Sequence, residues 1–234
     1  MVRSIWRTLG TELARDIALV CLADGVVGLS FGAITVGAGL PVWLPMLLSL
    51  VVFAGAAQFM FVAIMASGGN PVAAVVTGLI VNTRLIPMGF AVGDVLAGQS
   101  TFRRLIGSHF LLDENVAFVI TQKDPQRRKA AYWACGVALF VCWNIGVLIG
   151  AFGGSIITDT NAFGLDAAFP AVMLALILPS LNDGPVKRAA FTGAVIALVT
   201  APFLTAGVPV LLALAGVLAG LGGDKANKTS AARS

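Results

Sequence analysis

What constrains this chain most is a succession of apolar runs, each about long enough to cross a bilayer. They occupy residues 17–38, 43–67, 71–97, 130–153, 164–182, 186–204 and 208–222, and about 20 apolar residues wound as a helix reach across a hydrocarbon core of roughly 30 Å. Backbone N–H and C=O groups find no water in lipid, so a spanning segment must satisfy them internally. The runs lack the period-two alternation of a barrel strand, which leaves the helix. Prolines stand where helices would begin: Pro41 and Pro45 around the start of the second run, Pro71 at the third, Pro185 and Pro209 at the last two. A proline in the first turn forfeits no helical hydrogen bond. With 58% hydrophobic and 11% charged residues, the chain has too little charge to cover a water-facing surface, for which about a quarter is usual.

The sequence therefore predicts an all-α polytopic membrane protein, a bundle of about seven or eight transmembrane helices with one or more broken or re-entrant elements. One membrane domain is expected over 17–222, after a cytoplasmic N-terminal segment (1–16) and before a flexible cytoplasmic tail (223–234). The first run follows Arg3, Arg7 and Arg15 as a signal peptide would, but it is long and no small-residue cleavage pattern follows, so it reads as the first transmembrane helix.

Basic residues gather at the amino terminus, at Lys123, Arg127, Arg128 and Lys129, at Lys187 and Arg188, and at Lys225 and Lys228. The positive-inside rule places all four clusters in the cytoplasm, and the Lys/Arg-free loop 154–166 outside. An even number of crossings must then precede residue 123, yet only three strong runs precede residue 98. Either the weaker segment 104–122 also crosses, or the run 71–97 dips in and returns.

Charges in apolar surroundings are costly and therefore informative: Asp24, Arg84, Asp94, Asp113, Glu114 and Asp166. Asp94 and Asp166 lie near segment ends and read as interfacial, while Asp24 suits either headgroups or a cavity. Arg84 sits in VNTRLIPMG, with Asn82 two residues before it and Pro87 three after. Pro87 disfavours a regular helix through Thr83, freeing carbonyls beside an amide and a guanidinium. Broken helices of this kind hold zwitterions in transporters; the plainer reading is that Arg84 pairs with a carboxylate to hold the bundle. The spacing of His109 and Asp113 puts them on one helical face, with Glu114 about 100° away. Carboxylates in a low-dielectric setting exchange protons near neutral pH, so Asp113 and Glu114 are candidates for proton coupling. The plainer reading is an interfacial helix with solvated acids. Gln58, a lone amide in FAGAAQF, needs a partner in lipid and faces protein, water or substrate.

GLSFG at 28–32 matches the nucleophile-elbow pattern formally, but a transmembrane helix supplies no strand-to-helix turn. Its Gly28 and Gly32 read as a helix-packing face, as do Gly146 with Gly150 and Gly216 with Gly220. Cys21, Cys135 and Cys142 lie in apolar runs without metal-ligand spacing and read as small buried hydrophobes. A single histidine makes a His-based metal site unexpected, and no phosphate-cradling loop is present. An enzyme is therefore not expected, nor is a bound cofactor or nucleic acid.

The strings GLSFGAITVGAGLPVWLPMLLSLVVFAGAAQF, GLIVNTRLIPMG, LLDENVAF, WNIGVLIGAF and FGLDAAFPAVMLALI, in this order and spacing, resemble the AzlC family of branched-chain amino acid exporters from about residue 17 to about 220. Where family members often carry His or Tyr after Asn-x-Arg, this chain has Leu85. The resemblance implies export of valine, leucine, isoleucine or methionine across the bacterial inner membrane, with a small hydrophobic AzlD-like membrane subunit as partner and a homo-oligomer as a further option. It carries over the positions Gln58, Asn82, Arg84, Asp113 and Glu114; the residue chemistry, not the resemblance, makes the first three candidates for substrate binding and the last two candidates for proton coupling.

Overall fold

The computed structural model describes residues 8–156, 181–182, 184–204, 208–218 and 220. Its helices are α1 (Thr11–Gly37), α2 (Trp43–Val51), α3 (Gly55–Ala66), α4 (Pro71–Asn82), α5 (Leu85–Leu96), α6 (Thr101–His109), α7 (Asp113–Ile120), α8 (Pro125–Ile156), α9 (Gly184–Thr200) and α10 (Val208–Ala213), with no strand among the described residues. The protein is an all-α polytopic membrane protein. Among the described residues two helices, Thr11–Gly37 and Pro125–Gly154, are long and apolar enough to cross a membrane, or three if the bent pair α4–α5 counts as one span. The expected run at 164–182 falls almost wholly outside the described residues.

The chain divides into two units, one comprising residues 1–58 and 79–160, the other 59–78 and 161–234. In the first, α1 and α8 run parallel in close contact. The register is given by Arg127, whose Nη2 donates to Leu9 O at 2.8 Å, by Cys21 beside Cys135 O, and by Gly28 under Trp143. Glycine permits this approach. A Cβ on Gly28 would lie 2.8 Å from Trp143 O, and one on Gly32, Gly146 or Gly150 would collide with the facing backbone of Val147, Gly25 or Leu29 respectively. The packing face read from Gly28, Gly32, Gly146 and Gly150 is thus a seam between α1 and α8. In the second unit, Gly216 and Gly220 serve the same purpose, against Gly193 with Ala189 and against Pro185 of α9.

Prolines open helices as expected. Pro71 begins α4 behind Asn70, whose Oδ1 accepts from Val72 N at 2.7 Å. Pro125 begins α8 behind Asp124, whose Oδ2 accepts from Arg127 N at 2.8 Å.

The run 43–67 does not form one helix. It breaks at Val52–Ala54, where Phe53 adopts φ 38°. The run 71–97 breaks at Thr83–Arg84, and its axis bends by 49°. Here the expectation holds: Pro87 falls in the first turn of α5, and the Thr83 carbonyl it leaves free accepts from Ile86 N at 3.1 Å. The third break, Phe110–Leu112, separates α6 from α7.

Contacts along α8 fix the depth of each break within the first unit. At its start, Arg128 binds Asp94 of α5 in a fork (2.9 and 2.8 Å) and Val119 O of α7 (3.2 Å). One turn on, Tyr132 OH donates to Gly107 O of α6 at 2.7 Å. Gly136 faces Phe110 and Asn115, and Phe140 meets Phe53, His109 and Phe110. Arg128 to Phe140 is about 18 Å of helix. The segment 101–120 therefore leaves the basic end of α8, turns beside Phe140 and comes back to that end. It is a helical hairpin, where the sequence left open a crossing at 104–122 or a dip at 71–97. Because α1 and α8 start at the same end, the return after α1 must occur within α2–α5, and its final leg is α5. Arg15, near the start of α1, and the basic residues at the start of α8 lie at the same end of the seam.

Candidate functional site

The three breaks meet at one level. Phe53, in the first break, lies 5.7 Å from the His109 ring and 6.3 Å from Phe110, beside the third. Arg84, in the second, reaches Asp113 across the third, Nη1 to Oδ2 at 2.6 Å. Of the expected site residues, Arg84 and Asp113 are thus a single ion pair. Their side chains are 42% and 37% exposed.

His109 and Asp113 do not share a helical face. The chain leaves α6 at Phe110 and re-enters a helix at Asp113, because Asn115 supplies the local hydrogen bonds that a continuous helix would. Its Oδ1 accepts from Leu112 N at 3.0 Å, and its Nδ2 donates to Phe110 O in a short contact. Asn115 is fully buried. The acidic pair Asp113–Glu114 then occupies the first turn of α7, where negative charge meets the positive end of the helix dipole.

Gln58 is fully buried one turn into α3. Its Nε2 donates to Leu48 O at 3.0 Å, a carbonyl that also accepts from Val52 N and Phe53 N where α2 ends. The amide ties the break together from its far side. Gln58 Oε1 has no hydrogen-bond partner among the described residues, nor do the buried Asn82 Oδ1, Asp113 Oδ1 and Trp143 Nε1. Buried polar atoms are nearly always paired, and three of these four belong to residues singled out by sequence. Trp143 was not among them. Its indole packs on Gly28, Gly55 and Phe31, and nothing but its place in an apolar run marked it.

The remaining charged candidates separate. Asp94 is engaged by Arg128 at the basic end. Asp24, on α1, is half-buried. Asp166 lies outside the described residues. Among the described residues no group of three or more His, Cys, Asp or Glu is placed to hold a metal ion.

Residues 19–157 match the AzlC protein family. The chain is 25% identical over 199 residues to the branched-chain amino acid transport protein AzlC of Bacillus subtilis, covering 82% of this chain and 77% of that one. It is 24% identical over 177 residues to an uncharacterized membrane protein of Helicobacter pylori, covering 74% and 76%. It is 30% identical over 139 residues to the inner membrane protein YgaZ of Escherichia coli, covering 57% and 54%. No solved structure matches. The family match takes in more than half of the chain and contains all three helix breaks, and on that ground this protein belongs to the AzlC family.

Proposed function

We propose that this protein is a secondary active exporter of branched-chain or other hydrophobic amino acids: valine, leucine, isoleucine and methionine. The relative in Bacillus subtilis is named for branched-chain amino acid transport, and family membership supports a transport role over an enzymatic one. Export, proton coupling, an AzlD-like partner, the inner membrane and cytoplasmic termini are parts of the same proposal.

The observation that carries it is the Arg84–Asp113 pair at the meeting of three helix breaks. A zwitterion offers the same two charges in mirror order. Its carboxylate would take the Arg84 fork, and its ammonium would take Asp113, with Asn82 and Gln58 offering unpaired oxygens for the remaining N–H groups. A proton delivered to Asp113 or Glu114 would loosen the hold on Arg84 and so trade against substrate. The alternatives are a passive channel and an assembly subunit without transport of its own.

Flux of labelled valine in proteoliposomes, with the partner and without it, tests the proposal. Uphill movement under an imposed pH gradient, abolished by an uncoupler, is the expected result. Movement only down the valine gradient, indifferent to the uncoupler, would establish a channel. Flux with the partner that is unaffected by Arg84→Ala would reduce this chain to an assembly role.

A further inference from the structure

His109 is the chain's only histidine, and the transport reading above leaves it without a task. It closes α6 at the hairpin tip, and three phenyl rings surround its imidazole: Phe53 at 5.7 Å, Phe140 at 5.9 Å and Phe110 at 6.0 Å between centroids. The three rings also touch one another, Phe53 to Phe140 at 5.0 Å and Phe110 to Phe140 at 5.4 Å. They come from three places, the α2–α3 break, the α6–α7 tip and the middle of α8. His109 joins neither ion pair, Arg84–Asp113 nor Arg128–Asp94.

We propose that His109 is a proton-binding station of the transport site, and that Phe53 carries its charge state to the α2–α3 break. This rests on the transport reading and extends it. A neutral imidazole meets the phenyl rings as one more aromatic ring. An imidazolium gains in addition from each π system within about 6 Å, so gaining a proton draws the cluster together and losing it relaxes the cluster. Phe53 is where the relaxation counts, because its φ of 38° is held by packing and not by preference. Gln58, whose amide ties that break to Leu48, lies five residues on.

No Asp, Glu, Lys or Arg occurs in 43–58 or in 130–156, so α2, the start of α3 and the body of α8 bring no charge to it. The thiols of α8 are Cys135 and Cys142, and its one phenol, Tyr132, is committed to Gly107 O. From the remaining elements come Arg103 and Arg104 on the same helix, Asp113, paired with Arg84, and the half-buried Asp24 and Glu114.

The test follows intrinsic tryptophan emission of the full chain in nanodiscs from about pH 5 to 8, where histidines ordinarily change charge. Trp133 packs on Phe110 at 6.2 Å and Trp143 on Gly55, so both ends of the cluster report. Emission should change with pH in the parent and change clearly less in His109→Gln. Phe140→Leu, which keeps the histidine and removes one ring, should move the midpoint. A pH response undiminished in His109→Gln, a parent without one, or an unmoved midpoint would overturn the proposal. No substrate is present in this arm, so it fails or succeeds apart from the transport reading. In a second arm, valine affinity of the parent should vary with pH across the same range, and the variation should shrink by about 2- to 30-fold, the span one cation–π contact supports, in His109→Gln. Equal variation in both proteins counts against His109; a parent that binds no valine overturns the transport reading and the station with it.

Discussion

Arg84 and Asp113 are 29 residues apart in sequence and 2.6 Å apart in space, each standing where a helix has been interrupted. Arg84 precedes α5 and Asp113 opens α7. The breaks therefore do two things at once. They expose backbone polar groups at membrane depth, which is tolerated only where protein or a water-lined cavity receives them, and they bring opposite charges to the same place.

The hairpin tip should depend on Asn115. Its side chain satisfies Leu112 N and Phe110 O, and it is fully buried. Asn115→Ala leaves both backbone groups unpaired in a dry setting and should lower stability by about 2–4 kcal/mol. Asn115→Asp keeps one acceptor and should lose less at the Leu112 end while failing at Phe110 O. Thermal unfolding of the purified protein in detergent reads both; a parental midpoint for Asn115→Ala would show that the tip is held by something else.

Much of this was legible in the sequence, for a physical reason in each case. The Thr83–Arg84 break announces itself through Pro87, because a missing N–H frees one particular carbonyl. The glycine pairs announce a seam because only glycine lets backbones meet. The break at Phe53 has no such marker: it lies in an unbroken apolar run, and what holds it is Gln58 reaching back ten residues to Leu48 and a ring cluster assembled from distant segments. The separation of His109 from Asp113 did have a signal. Two acids in a row followed by Asn are a helix start, and treating SHFLLDEN as continuous helix overlooked it. The hairpin path was hidden because apolar content reports burial in lipid or protein but not the direction of travel.

The α1–α8 seam should discriminate between glycines on the same helix. A Cβ on Gly150 would collide with the Leu29 carbonyl, and one on Gly153 would meet nothing within 4 Å. Gly150→Ala and Gly146→Ala should therefore accumulate poorly in membranes, since backbone cannot swing aside as a flexible side chain would. Gly153→Ala should accumulate at least as well as the parent, gaining up to about 1 kcal/mol of helix propensity. Equal accumulation of all three variants would mean that α1 and α8 are not in this contact in the membrane.

Topology provides a separate check on the hairpin. In a chain with Cys21, Cys135 and Cys142 replaced by Ala or Ser, single cysteines at Thr101, Gln122 and Arg127 should behave alike towards an impermeant thiol reagent, and Ala38→Cys, beyond the far end of α1, should behave oppositely. On the proposed orientation, Ala38→Cys reacts from outside intact cells and the other three do not. Opposite labelling at Thr101 and Gln122 would mean that 101–120 crosses after all. The same three cysteine replacements should leave transport largely intact, because the thiols fill space.

The last expectation concerns Arg84, where holding the bundle together and receiving substrate make different demands. A carboxylate fork needs the planar guanidinium, whereas balancing Asp113 needs only a cation nearby. If Arg84 receives substrate, Arg84→Lys should accumulate normally and lose valine affinity by about tenfold or more, since each 1.4 kcal/mol of lost charged hydrogen bonding is a factor of ten. If it only balances Asp113, Arg84→Lys should bind like the parent. Arg84→Ala strands the Asp113 carboxylate, which already has one buried oxygen without a partner, and should accumulate poorly in either case. Removing both charges in Arg84→Ala/Asp113→Ala should restore accumulation, because no uncompensated charge remains, and should not restore binding. Membrane abundance and valine binding measured on all three variants separate the two roles: parental affinity in Arg84→Lys, or recovered affinity in the double variant, would remove Arg84 from the substrate site.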